Sequence, residues 1–430
     1  MRVIFLIILV SSSHIFAQNM LKAKVSCSSK MINVNKYNFN DKKHISTIKI
    51  DSLGYYLKDL SKFSVGEYNL KNEDIDIDFI YNNESIIFED DCDTNMVVKF
   101  TESDENITLN NFFNFYYVNN TSFGLLDQLL NFYPKTDNFY SEIKQRRNKL
   151  NDLNNNYIDS LKKNKPNLLA TEVIKLYKHS STGFVDMNQT YSLKLTNTKF
   201  LGDLIISYLN TFEKEKVTRE QQQQAFLPAI DTLLLSFKKN ELLTLYIADF
   251  LIEKFRYYDL DMVYEYTALK AQQMLDFKKL NLKNKNIAQK VFNINNIVNS
   301  MVGKKAYNFK IDDKTKLYDI KSKQKLVVFW ASWCPHCEET MSQLVENINN
   351  IAPNVKVITY SLDYNNKDWE NKTDDFPKEW VNICDCNNKE NVPEKYSVYA
   401  TPTLLLLDED NTILAKPNGY LNLLDFIGDE

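Results

Sequence analysis

The stretch Lys325-Leu-Val-Val-Phe-Trp-Ala-Ser-Trp-Cys-Pro-His-Cys337 decides how the rest of this chain is read. Leu326 to Trp330 is an unbroken apolar run, the pattern of a strand buried on both faces of a parallel sheet. From Cys337 to Ile351 the apolar residues return at helical spacing. Cys334 therefore falls where a strand hands over to a helix, and unsatisfied N–H groups and the macrodipole there favour a thiolate. Cys337, three residues on, lies one turn behind it on the same face. Cys334 can then attack a substrate disulfide, and Cys337 can resolve the mixed disulfide by closing a Cys334–Cys337 bond. Pro335 suits a first helical turn because its missing N–H costs nothing there. The imidazole of His336 is placed to donate to the sulfur and stabilise the thiolate.

Two other readings of a Cys-x-x-Cys pair compete. A zinc site needs four ligands, and outside the leader only His44, His179 and His336 are present, no two at ligand spacing. A four-thiolate site from Cys334, Cys337, Cys384 and Cys386 is the remaining metal alternative. A purely structural bridge over three residues closes little loop entropy. The expectation is a redox dithiol with no metal and no organic cofactor.

Phe329-Trp-Ala-Ser-Trp-Cys-Pro-His-Cys337, together with Ala400-Thr-Pro-Thr403, resembles the thioredoxin superfamily, and within it the exported TlpA-like thiol-disulfide oxidoreductases. The resemblance implies an α/β thioredoxin fold over residues 300–430. It implies that Pro402 is cis and faces the dithiol, and that Thr401 pairs with substrate backbone. Trp333, Thr401 and Pro402 are the substrate-binding candidates. Two departures stand out: Val328 and Thr340 occupy positions where relatives of this kind carry carboxylates. The Pro-His dipeptide matches strongly oxidising members. The family also implies protein thiol or disulfide substrates and an electron donor or acceptor in the membrane.

Upstream, two further segments are expected. Residues 18–105 read as a small β-sandwich-like domain or an open barrel, with alternation at Ile48-Lys-Ile50, Tyr68-Asn-Leu70 and Ile75-Asp-Ile-Asp-Phe-Ile80. Asp76 to Tyr81, Asn82-Asn83 and Glu84 to Glu89 read as a hairpin whose turn suits positive φ. Residues 106–299 change to a helical period, as at Leu243, Ile247, Phe250 and Leu251. Asn164-Lys-Pro166 and Leu227-Pro228 are taken as breaks or helix starts. The order of β-rich domain, helical segment and redox domain resembles larger TlpA-like proteins.

Residues 1–17 read as a secretory signal peptide: Arg2, the apolar run Val3 to Val10, then Ile15-Phe-Ala17, with Gln18 as the mature N-terminus. That run is too short to span a bilayer, and no later segment is long and apolar enough to do so. The expected location is across the inner membrane, in the periplasm or cell envelope. A net charge of -4 offers no basic face for nucleic acid. Six cysteines in an exported chain allow disulfides. Cys27 and Cys92 are read either as a structural bridge or as two buried thiols. Cys384-Asp-Cys386 is a candidate second redox pair at a strand's carboxyl end, against incidental thiols or a partner for another cysteine. The functional expectation is an enzyme, a thiol-disulfide oxidoreductase working through Cys334 and Cys337. The alternative is a cell-envelope binding or scaffold protein whose redox domain is accessory.

Overall fold

The computed structural model describes residues 19–26, 30–91, 98–178, 184, 185, 187, 189–384, 386 and 390–427. Residues 1–18, Cys27, Cys92 and His179 lie outside the described residues. The chain gathers into two compact units that divide between Thr244 and Leu245.

In the first unit, eight strands form two four-stranded sheets. They are β1 (Met20–Val25), β2 (Met31–Asn38), β3 (Asp41–Lys49), β4 (Tyr55–Asp59), β5 (Gly66–Lys71), β6 (Asp76–Tyr81), β7 (Ile86–Asp90) and β8 (Lys99–Glu102). The sheet orders are β4-β1-β7-β8 and β3-β2-β5-β6. Leu21 and Ala23 from one sheet share a core with Val34, Leu70 and Phe79 from the other, which makes the arrangement a sandwich. The alternation that marks the strands is the alternation of core and surface.

The expected hairpin at Asn82-Asn83 does not form. Asn83 does take a left-handed turn, with φ 60°. The chain then crosses over, so that β6 pairs with β5 and β7 pairs with β1 and β8. Glu84 gives the physical reason. Its carboxylate accepts from the Ser103 hydroxyl at 2.5 Å and from the backbone N–H groups of Asp104 and Glu105 at 3.0 and 3.1 Å. Glu84 thus caps the next helix, a use of charge that a hairpin reading does not foresee.

Five helices complete this unit: α1 (Asp104–Phe132), α2 (Asn138–Asn164), α3 (Leu169–Lys175), α4 (Lys199–Asn210) and α5 (Arg219–Phe237). Pro228 lies inside α5 and does not break it. Its missing N–H would have bonded the carbonyl of Gln224, and both residues are exposed, so water replaces the bond. Thr218 and Gln221 start the helix with a capping box.

The second unit begins within α6 (Glu241–Tyr257) and continues through α7 (Asp261–Met274) and α8 (Lys285–Asn299). The helices between 104 and 299 are therefore shared between the units. Five strands follow: β9 (Gln324–Trp330), β10 (Val355–Ser361), β11 (Val381–Cys384), β12 (Thr403–Asp408) and β13 (Ile413–Ala415). Helices α9 (Pro335–Ile351), α10 (Asn366–Thr373), α11 (Val392–Lys395) and α12 (Tyr420–Ile427) are interleaved with them. The sheet order is β11-β10-β9-β12-β13, with β9, β10 and β11 parallel and β12 antiparallel to β9. Alternate residues of β9 feed two cores. Leu326, Val328 and Trp330 pack with Met341 and Leu344 of α9, while Val327 and Phe329 pack with Phe309 and Tyr396 on the opposite face. Burial on both faces is why the run carries no polar alternation. No described helix is long and apolar enough to cross a membrane.

Candidate redox site

The carboxyl end of β9 opens into the turn 331–333, and Cys334 is the N-cap of α9. Its sulfur accepts the Cys337 backbone N–H at 3.2 Å, so a sulfur does here what a Ser or Asp oxygen does at an ordinary cap. Pro335 occupies the first turn. Cys337 is buried one turn behind. From the other side of β9, the Cys334 thiol lies 3.3 Å from the Thr401 carbonyl, which accepts from it. The Thr401–Pro402 peptide bond is cis. Trp333 projects beside the pair, 58% exposed. The fold therefore gathers Trp333, Cys334, Cys337, Thr401 and Pro402 at one edge.

The two sulfurs are driven apart electrostatically. Burial works against a Cys334 thiolate. It is outweighed by hydrogen bonds from the side chains of Cys337 and Thr401 and from the backbone N–H groups of Cys337 and His336, so the thiol ionises below its ordinary range. Burial, then the adjacent Cys334 sulfur, pushes Cys337 up to about 12. One thiol is a ready nucleophile and the other holds its proton. The contribution of His336 comes from its backbone; its imidazole stands exposed, so the tuning expected from that ring comes instead from a main-chain donor.

Asp363, just past the end of β10, was not singled out from the sequence. It is 3% exposed, and its carboxylate accepts from the Ser332 backbone N–H at 3.2 and 3.1 Å and from the Ser332 hydroxyl at 2.6 Å. The Ser361 hydroxyl donates to the same group at 2.5 Å. This carboxylate fixes the turn two residues before Cys334. Its position at a strand's carboxyl end is the signal that could have found it. Val328 and Thr340 are both buried.

The loop that feeds Thr401 is held from α6 and α7. The Arg256 guanidinium lies 5.0 and 5.3 Å from the ring centroids of Tyr264 and Tyr399 and donates to the Ser397 hydroxyl. The Tyr399 hydroxyl donates to Asp261 at 2.8 Å. The helical residues 245–299 are thus tied to the redox edge by cation–π stacking and hydrogen bonds.

A groove of about 250 Å³ runs beside the dithiol, lined by Trp330, Cys334, Cys337, Met341, Val345 and Phe376. A larger cavity of about 560 Å³ in the first unit, around Phe212, Lys214, Val217 and Pro228, is lined by no cysteine. The chemistry belongs to the smaller groove. Cys384 and Cys386 are joined as a disulfide at the end of β11. Among the described residues, no three His, Cys, Asp or Glu side chains gather in a way that would hold a metal ion.

Residues 322–413 match the family model described as thioredoxin-like. The thiol-disulfide oxidoreductase ResA of Bacillus cereus is 28% identical over 124 residues, 27% of this chain and 68% of that protein. The protein of the same name from Bacillus anthracis is 27% identical over 124 residues, with the same 27% and 68% covered. Among solved structures, the C-terminal domain of an uncharacterized protein from Bacteroides fragilis is 28% identical, covering 31% of this chain and 100% of that chain, with a TM-score of 0.27. The C-terminal part of this chain is a thioredoxin-like domain, similar to that of thiol-disulfide oxidoreductases.

Proposed function

We propose that the chain is an exported, TlpA-like thiol-disulfide oxidoreductase that acts on protein disulfides through Cys334 and Cys337. The observation that carries this reading is the split between the two sulfurs, with Cys334 favoured as thiolate and Cys337 held as thiol up to about 12. The Cys334 thiolate attacks one sulfur of a substrate disulfide, the S–S bond breaks, and the departing substrate thiolate takes a proton from solvent. The mixed disulfide then sits at the Thr401–Pro402 edge, where substrate backbone is bound beside Trp333. Cys337 loses its proton, attacks the Cys334 sulfur and releases the second substrate thiol. Two electrons pass from the dithiol to the substrate, and the reverse sequence oxidises a substrate dithiol. Residues 1–17 as a signal peptide would deliver the protein to the periplasm or cell envelope. There a membrane electron donor would restore the dithiol, or an acceptor would restore the disulfide when the protein works as an oxidant.

Insulin reduction tests the reading directly. The wild-type protein is expected to turn over, Cys334→Ser to fall to background, and Cys337→Ala to accumulate mixed disulfides. Turnover by neither the wild type nor refolding assays with scrambled ribonuclease, with no trapped partner, would favour the scaffold reading. A stabilised Cys334 thiolate favours the reduced form, so equilibration with glutathione is expected to give a potential above the thioredoxin value of about -270 mV. A potential at or below that value overturns the oxidising assignment.

A further inference from the structure

Cys384 closes β11, and the strand register places it beside Ser361 of β10, which stands beside Trp330 of β9. It therefore lies on the same carboxyl edge as the first dithiol, two strand spacings from Trp330, about 10 Å. The Cys384 and Cys386 Cα atoms are 5.1 Å apart, within the range that a disulfide spans without moving the backbone. Both residues are partly exposed, whereas Cys334 and Cys337 are buried.

This bond is poorly suited to be a staple. It closes a loop around a single residue and so removes little freedom from the unfolded chain. The strand is secured without it: β11 pairs with β10 from Val381 to Cys384, and Ile383 packs with Ile358, Tyr360 and Val392. A partly exposed disulfide is also open to attack by an incoming thiolate.

The geometry points to Cys384–Cys386 as a second thiol-disulfide exchange site, one that takes a dithiol from another molecule and works independently of Cys334. The end of β10 stands between the two pairs, and Cys334 leans toward Thr401 on the far side of β9. An incoming thiolate, its proton given to solvent, attacks one sulfur, and the S–S bond breaks to leave a thiolate that is then protonated. The second thiol of the incoming molecule, deprotonated in turn, attacks the mixed disulfide and frees the other cysteine as a thiol. The dithiol is oxidised and the pair reduced by two electrons.

The test uses Cys334→Ser/Cys337→Ser protein and the wild type side by side. Each is equilibrated in mixtures of reduced and oxidised dithiothreitol, quenched, alkylated and weighed as the peptide that holds Cys384 and Cys386. Both thiols are expected to appear together as the reduced fraction rises and to disappear when the oxidised form is restored, with the same midpoint within twofold in the two proteins. A pair that stays closed throughout is a staple, and one that labels fully in excess oxidant is two incidental thiols; either overturns the inference. Opening in the wild type but not in the double variant means that exchange runs through Cys334, which overturns it as well. Insulin reduction by Cys384→Ser/Cys386→Ser protein is read separately, so failure of the Cys334 site is distinguished from failure of this one.

Discussion

Glu67 of the first unit and Asp363 of the second are two buried carboxylates partnered in opposite ways. Glu67 of β5 accepts the Lys199 backbone N–H at 2.8 Å and lies 3.7 Å from the Lys199 ammonium. That ammonium also pairs with Asp78, to which the Tyr37 hydroxyl donates at 2.9 Å. Asp363 of the second unit is met by neutral donors alone, from Ser332 and Ser361. In this cluster of the first unit the Lys199 ammonium answers Asp78 while its backbone N–H donates to Glu67, and together they fasten the start of α4 to the β3-β2-β5-β6 sheet. In the second, the charge organises a turn and leaves the neighbouring sulfur open for reaction. The lesson is that a buried ionisable group marks chemistry only when its partners are the elements that carry the nucleophile.

Removing one charge from the first cluster should have the largest effect. Lys199→Met leaves Glu67 and Asp78 without their cation and is expected to destabilise the first unit by about 3–5 kcal/mol. Urea unfolding should show the loss while the alkylation rate of Cys334 stays at the wild-type value. A fall in that rate would erase the distinction between the two carboxylates. Asp363→Asn should do the reverse. It keeps the shape but weakens the bonds to Ser332, and it is expected to slow Cys334 alkylation and insulin reduction about tenfold, equivalent to about 1.4 kcal/mol, with a smaller change in unfolding midpoint. Equal loss in both assays would make Asp363 a packing residue.

The third effect is a slope. Burial raises the Glu67 carboxyl to about 8, with Lys199 pulling in the other direction. An unfolded chain gives up this proton near the ordinary 4.5, whereas the fold retains it to about 8. The unfolded state thus binds fewer protons through that window, and stability falls as pH rises across it. Glu67→Gln, which has no proton to lose, is expected to flatten the dependence of melting temperature on pH between 5 and 8. An unchanged slope would assign the dependence to other groups.

Legibility in the sequence followed the range of the interactions. The β9–α9 junction was plain because every determinant lies within Leu326 to Ile351: burial on both faces, Pro335 at a first turn, and a sulfur at the cap. The sandwich was plain for the same reason, through alternation along single strands. The crossover after Asn83 was hidden because Glu84 is spent on a helix that starts some twenty residues later. Pro228 misled because its consequence depends on whether Gln224 faces water. Asp363 and Arg256 were hidden because their partners are far along the chain, at Ser332 and at Ser397 and Tyr399.

The seat of Arg256 against Tyr264, Tyr399 and Ser397 bears on how portable the redox module is. A fragment begun at residue 300 would keep Cys334, Cys337, Cys384, Cys386 and the whole five-stranded sheet, yet it would strip the guanidinium from one side of the segment that ends in Thr401 and Pro402. The helices of residues 245–299 are, in that sense, part of what shapes the loop before Thr401 rather than a handle attached to it. Transplanting the module onto another carrier would mean transplanting its bracket too.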